Sequence, residues 1–336
     1  MTPDTIDQLP TPSLVVERTI FDANVAAMSA AHPGASLRPH VKAFKSTALA
    51  KELVVAGHTN FCAATVREVE GMAEAGMGTD LLLANQSLDV RRLGALVEQG
   101  HRITVAIDSQ ETIDAAVAGG VKEVLVDVMV GMPRCGCTPD DAGRLADAAR
   151  SAGLEVRGVM GYEGHLMMAS VEKKAGAVEK SMADLLRAAE FVAAPEGIVS
   201  AGGTGTYAVN VWANEIQAGS YCLLDTDYAK LDSPFEIALT VMGTIISTNA
   251  QGWAVADAGL KSLGMDHGDP TWPGGDLFFV ADEHTVLVDP DATMSIGDRV
   301  RLLPGHLDPT IARHREMWVV DGEKVVDCWP VDLRHW

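Results

Sequence analysis

Basic residues are scarce in this chain: 26 Lys and Arg stand against 46 Asp and Glu, a formal charge of −20. A surface of that sign repels phosphate backbones and anionic lipid, which excludes nucleic acid and anionic membrane as expected partners. It does not exclude an anionic cofactor, because local peptide N–H groups hold phosphate whatever the global field. Long apolar runs are missing as well, and no uninterrupted segment is long enough to span a bilayer. The opening MTPDTIDQLP has acids and prolines where a secretory leader needs a basic and then an apolar stretch. Cysteine is sparse: Cys62, Cys135, Cys137, Cys222 and Cys328 make an odd set of five without zinc-ribbon or disulfide spacing. A reducing cytoplasm is the expected location. Cys135 and Cys137 read as packing residues.

What is abundant is Ala, Val, Leu and Gly, in a regular order. Apolar β-type runs alternate with helical patterns from about Leu37 to about Asp225. The runs are LRPHVK, NFCAAT, DLLLANQ, RITVAID, EVLVDVMV, EVRGVMGYEG, EGIVSAG and EIQAGSYCLL. Their near-continuous apolar character suits parallel strands covered on both faces. Eight such runs predict an α/β fold, a closed (β/α)8 TIM-type barrel rather than an open doubly wound sheet. The seventh connection, Thr206 to Glu215, is only weakly helical. After Leu231 the texture changes to short strands separated by Gly, Asp and Pro turns, which predicts a C-terminal all-β domain. The expected organisation is residues 1–18 as a strand joining the β domain, 19–231 as the barrel and 232–336 as the β domain. GMDHGDPTWPGGD is long and irregular enough to serve as a lid or substrate loop.

Active sites of such barrels lie at the carboxyl ends of the strands. There the sequence places Lys42, Thr65, Asn85, Asp108, Arg134, Tyr162 with His165, the run Gly202 to Thr206, and Gly219-Ser220-Tyr221. Lys42 follows the first strand, where an amine can form an imine with a carbonyl substrate or with pyridoxal phosphate, or simply lie on the surface. Lys45, its competitor, is expected inside the first turn of the following helix. AGGTGT and AGSY end the seventh and eighth strands, the commonest place for a phosphate in this barrel. Without Cβ atoms, backbone N–H groups there can close on a dianion, helped by a Thr or Ser hydroxyl. In RLLPGHLDPTI, His306 and Asp308 are two residues apart. In an extended strand they would leave one face together and make half of a hard metal site; otherwise they belong to a turn.

These residues together resemble the D-threonine aldolase and D-serine dehydratase group of fold-type III pyridoxal phosphate enzymes, with alanine racemase more distant. The resemblance runs from LPTPSLVVE to CWPVDLRHW, and its most specific points are RPHVKAFKS, GMPRCG, SAGGTGT, IQAGSY, DAGLKS and PGHLDPT. It implies pyridoxal 5'-phosphate on Lys42, with Arg134 facing the cofactor phenolate oxygen and Tyr162 beside the pyridine ring. Gly203, Thr204, Gly219, Ser220 and Tyr221 fall in the expected phosphate-binding region. His306 and Asp308 match divalent-metal ligands. The dehydratase branch carries His-x-Cys with zinc, whereas aldolases carry Asp, which suits manganese or magnesium. Asp308 therefore points to an aldolase that cleaves a D-β-hydroxy-α-amino acid to glycine and an aldehyde. A D-serine or D-3-hydroxyaspartate dehydratase is the alternative, ahead of a racemase or a non-catalytic cofactor carrier. The resemblance also implies a homodimer acting on a small D-amino acid. One departure stands out: Met168 occupies the position of a family histidine that serves as candidate base. This leaves His165, or another group, for that role.

Overall fold

The computed structural model of the chain describes residues 3–336. The polypeptide divides into two compact units. One is made of Met28–Lys42 and Ala50–Gly219, with the last two residues. The other takes in the chain up to Ala27, Ala43–Leu49 and Ser220–Arg334. In chain order β1 (Ser13–Glu17), α1 (Arg18–Ala31) and α2 (Thr47–Val55) precede the strand–helix alternation. That alternation runs β2 (Asn60–Ala63), α3 (Val66–Glu74), β3 (Asp80–Leu83), α4 (Arg91–Glu98), β4 (Ile103–Ile107) and α5 (Gln110–Ala118). It continues through β5 (Glu123–Asp127), α6 (Ala142–Ser151), β6 (Glu155–Gly161), α7 (Val171–Val192), β7 (Ile198–Ala201) and β8 (Glu215–Ile216).

Strands β2 to β8 pair in parallel in sequence order. The run Leu37–His40 closes the ring, with Leu37 bridging Ile216 and His40 bridging Cys62. Three backbone bonds make this seam: Arg38 N–H to Ile216 O (2.8 Å), His40 N–H to Ala218 O (3.1 Å) and Cys62 N–H to Pro39 O (3.0 Å). The expected first strand is thus reduced to two bridges. Pro39 has no N–H to donate, and a short 3-10 turn, Val41–Ala43, follows at once. The expected eighth strand is likewise cut to two residues. The seventh connection contains turns and no α-helix.

Side chains alternate along each strand, so every second residue enters the barrel. Cys62, Leu82, Ala106, Leu125 and Met160 form a middle layer, each at most 4% exposed. Full burial of an aliphatic side chain of this kind contributes roughly 1.5–3 kcal/mol. One step towards the strand starts lies an ionic layer. Arg38 meets Asp80 (3.2 Å) and Glu215 (2.8 Å), and Arg157 meets Asp80 (2.6 Å) and Glu123 (3.2 Å). Burial pushes the Asp80 carboxyl up. Hydrogen bonds from Arg157 and the charge of Arg38 outweigh it and hold the group at about 2. Arg157 reaches this layer because a register shift separates the pair Val124–Val156 from the pair Leu125–Gly158. At Gly158 an added Cβ would lie 2.1 Å from the Ile198 carbonyl oxygen, so only glycine fits.

The second unit is built on β9 (Leu239–Asn249), β10 (Trp253–Ala256), β11 (Leu277–Val280), β12 (Thr285–Val288) and β13 (Arg299–Leu302). After these come α8 (Leu307–Ala312), β14 (Glu316–Asp321) and β15 (Lys324–Pro330). The sheet order is β11-β12-β10-β9-β1-β14-β15, with β13 also pairing β9. β1 runs antiparallel to β9 and parallel to β14. Leu9, Val15, Met242, Trp318 and Val320 pack beneath it. The expected C-terminal β domain is this sheet, with the six-residue helix α8 inserted between β13 and β14, and its compact unit takes up the chain from Ser220. Among the described residues, no helix is long and apolar enough to cross a membrane.

Candidate active site

One step beyond the middle layer, at the carboxyl ends of the barrel strands, alternation brings Ala64, Ala84, Asp108, Asp127, Tyr162 and Gly202 to one level. Lys42 lies at the same end, two residues past His40. Its backbone N–H is 3.5 Å from His40 Nδ1. Burial pushes the Cys62 thiol well up, and the charges of Arg38 and Lys42 only partly offset it, which sets Lys42 near the interior thiol. Lys45, expected inside the first turn of the following helix, lies instead two residues ahead of α2 with φ 48°. Of the other strand-end residues, Thr65 is a helix cap: its side chain accepts the Glu68 N–H while Glu68 reaches back, a reciprocal box that starts α3.

Arg134 sits on an excursion after β5 that closes where Cys137 N–H meets Asp127 O (2.9 Å) and Met129 N–H meets Cys137 O (2.9 Å). Its guanidinium carbon is 5.4 Å from the Tyr162 ring centroid. A cation so placed is attracted by the ring face and held over it. His165 is exposed in the turn Gly164–Leu166, and its ring lies over Gly131 of the Arg134 excursion; a Cβ on Gly131 would be 2.8 Å from His165 Cε1. Met168 is exposed as well.

Asp127 is buried and accepts a hydrogen bond from Gln86 Nε2 at 2.7 Å. Burial pushes its carboxyl up to about 6; the Gln86 bond pulls against that, and the charge of Asp108 adds to it. The folded state therefore binds a proton that the unfolded chain releases near its ordinary value of 3.8. The associated stability is complete below about pH 4 and is lost as pH rises through about 6. Asp127→Asn removes this dependence. Relative to the wild type it should gain on the order of 1 kcal/mol more at pH 8 than at pH 5. Paired urea melts at the two pH values measure this, and an equal difference at both would contradict the buried-acid account.

The glycine run after β7 is held from below by Glu163, which is fully buried. One carboxylate oxygen accepts Gly202 N–H (3.1 Å); the other accepts Thr206 Oγ1–H (2.8 Å) and Asn210 Nδ2–H (2.9 Å). Lys174 Nζ ties the far side by donating to Met167 O (2.9 Å) and Gly205 O (2.8 Å). Gly203 N–H is spent on Thr206 Oγ1 (3.2 Å), a correction to the cradle of successive free N–H groups that the sequence suggests. Gly203 instead lets Met167 and Tyr162 close on the backbone. A Cβ there would lie 2.9 Å from Met167 Sδ and 3.4 Å from Tyr162 Cε2. Thr204 is buried beside it. Gly219 follows Ala218, whose carbonyl accepts His40 N–H, so Gly219 and Lys42 end neighbouring segments. Ser220 and Tyr221 are buried in a 3-10 turn, where the Tyr221 ring is 5.7 Å from Phe235. Glu163 and Lys174 escaped the sequence reading because their roles are set by partners that no local pattern reveals. The Lys42 amine and the Arg134 guanidinium over an aromatic ring fit the aldehyde and the ring oxyanion of a pyridoxal phosphate.

In the second unit His306 is the N-cap of α8, with φ −144°, and Asp308 lies in its first turn. This corrects the extended-strand expectation, although the pair still converges: His306 Nε2 is 3.7 Å from Asp308 Oδ2. The His306 side chain makes no cap. Buried Asp225 substitutes for it, accepting Leu307 N–H (3.0 Å) and Tyr228 N–H (2.9 Å). Thr310 Oγ1 donates to His306 O at 2.7 Å. Two residues of the GMDHGDPTWPGGD loop complete the cluster. Asp266 Oδ2 is 2.7 Å from His306 Nδ1, and the His267 ring stacks on His306 at 3.8 Å and 2°. The Asp-His dipeptide in an irregular loop was the only sequence signal for them. Imidazole and carboxylate donors suit a divalent cation of the manganese, magnesium or zinc kind.

Residues 16–226 match the N-terminal domain of alanine racemase. The chain belongs to this family. It is a family of pyridoxal phosphate-dependent enzymes, and residues 238–320 match a putative serine dehydratase domain. Among its relatives, a D-threonine aldolase of Arthrobacter sp is 33% identical over 362 residues, covering 98% of this chain and 94% of the relative. A 3-hydroxy-D-aspartate aldolase of Paracoccus denitrificans (strain Pd 1222) is 31% identical over 361 residues, covering 97% and 92%. The crystal structure of D-threonine aldolase from Filomicrobium marinum superposes with a TM-score of 0.91 at 29% identity, over 98% of this chain and 97% of that one. The fold is thus the alanine racemase-like barrel with a C-terminal β domain, as the sequence resemblance implied.

Proposed function

We propose that this chain is a pyridoxal phosphate- and divalent metal-dependent lyase that cleaves D-β-hydroxy-α-amino acids to glycine and an aldehyde. One observation carries the aldolase reading: the His306 imidazole is partnered at 3.7 Å by a carboxylate, Asp308, where the dehydratase branch has a thiol. The nearly full-length likeness to two aldolases supports it. Lys42 supplies the amine that holds the cofactor. Arg134, steadied over Tyr162, offers a cation to the cofactor's phenolate oxygen, and Thr204 and Ser220 offer hydroxyls to its phosphate. The bound cofactor supplies an electron sink for the breaking bond at Cα. His306 and Asp308 would hold the cation, manganese or magnesium with zinc as the alternative, which would supply a Lewis acid for the β-hydroxyl. His165 is the proposed proton acceptor.

The match to a putative serine dehydratase domain favours one second reading, elimination of water to a 2-oxo acid and ammonia. A panel of D-β-hydroxy-α-amino acids, assayed separately for glycine and for 2-oxo acid with and without EDTA, decides between them. Glycine with aldehyde, lost on EDTA treatment, is the expected result; oxo acid without glycine would replace the aldolase reading with the dehydratase. We also propose a cytoplasmic homodimer acting on small molecules, consistent with five free cysteines and with exposed Phe278 and Phe279 on β11.

A further inference from the structure

We propose that Asp266 is a positioning residue for the cation: its carboxylate holds the Nδ1 proton of His306, so that the ring presents Nε2, the nitrogen facing Asp308, to the metal. The proposal rests on the metal-dependent reading above. A carboxylate has no hydrogen to give, so the 2.7 Å contact between Asp266 Oδ2 and His306 Nδ1 places the hydrogen on Nδ1. A neutral ring protonated there carries its lone pair on Nε2. That atom lies 3.7 Å from Asp308 Oδ2. Two ligand atoms, each about 2.0–2.2 Å from one ion, are about 3–4 Å apart, so the pair is spaced to share a cation.

Two contacts fix the ring, Asp266 on its edge and His267 stacked on its face, while the Thr310 hydroxyl holds the His306 backbone oxygen. The alternative is a three-ligand cluster of Asp266, His267 and His306, whose ligand atoms lie within 4.8 Å of one another. Geometry disfavours it. The two imidazoles are parallel to within 2°, so their in-plane lone pairs do not converge, and 2.7 Å is hydrogen-bond spacing, short for two atoms sharing an ion. Histidine ligands are commonly oriented by a carboxylate on the second nitrogen, and losing that partner typically costs 10–100-fold in metal affinity.

The test uses cofactor-loaded, EDTA-treated protein labelled with 15N-histidine. Wild type should show His306 as the Nδ1–H tautomer. Asp266→Ala should give a mixture and weaken Mn2+ binding about 10–100-fold, measured by electron paramagnetic resonance. Asp266→Glu should restore most of that loss. His306 protonated on Nε2 in the wild type, or undiminished Mn2+ affinity in Asp266→Ala, overturns the proposal and leaves the lyase reading standing. A wild type that turns over substrate without binding Mn2+, Mg2+ or Zn2+ overturns both.

Discussion

Lys42→Ala is expected to abolish covalent attachment of pyridoxal phosphate and to lower turnover about 10^3-fold or more. The amine ends the segment that closes the barrel, on the side where Arg134, Tyr162 and the glycine run meet. Borohydride reduction of the wild type, followed by fragmentation of the peptide that holds both lysines, should place the added mass on the Lys42 side chain and not on that of Lys45. Lys42→Arg should be as inactive as alanine, because a guanidinium keeps the charge but does not give up a proton to become a nucleophile. That variant separates the need for an amine from the need for a cation. Retained turnover in both variants would remove Lys42 from the chemistry and, with it, the cofactor assignment built on this residue.

The second large effect belongs to Asp308. Asp308→Ala should keep the covalently held cofactor, with its visible absorption unchanged, while turnover falls on the order of 10^2-fold or more. What remains should no longer respond to EDTA or to added Mn2+. The two readouts move independently because Asp308 sits in the first turn of α8, where it accompanies His306 rather than the barrel residues. A stability change does not account for such a split, since the helix start is secured by Asp225 on the Leu307 N–H. An Asp308→Ala enzyme with wild-type EDTA sensitivity would place the functional cation elsewhere.

Much of the fold was legible because it is written in local periodicity. Seven of the eight expected strand runs surface as hydrogen-bonded strands, and the inward residues Cys62, Leu82 and Leu125 each stand third in their strands. The first run was harder. Its apolar pattern is strand-like, but Pro39 removes a donor and leaves only bridges. The region around His306 was misread for a different reason. Nothing in RLLPGHLDPTI announces a helix, because the cap is Asp225, more than eighty positions earlier in the chain. Even so, His306 and Asp308 meet, since His306 as the N-cap keeps extended backbone angles (φ −144°, ψ 120°) before the helix begins. The supports of the site left little trace in the sequence beyond the irregular loop that carries Asp266. Glu163, Lys174 and Asp266 look like ordinary charged residues in sequence, and only the folded chain reveals which donors and acceptors they serve.

The ionic layer low in the barrel has a bearing on Lys42. Arg38 is four positions before Lys42 and is gripped by Asp80 on one side and Glu215 on the other. A slip of one residue along the closing segment would swing Arg38 outward and leave Glu215 without its cation in a dry interior, and it would turn the lysine away from the mouth as well. Buried charge at one end thus acts as a parity lock for the reactive amine at the other. The sparse backbone pairing around Pro39 suffices because the alignment is enforced by guanidinium and carboxylate instead.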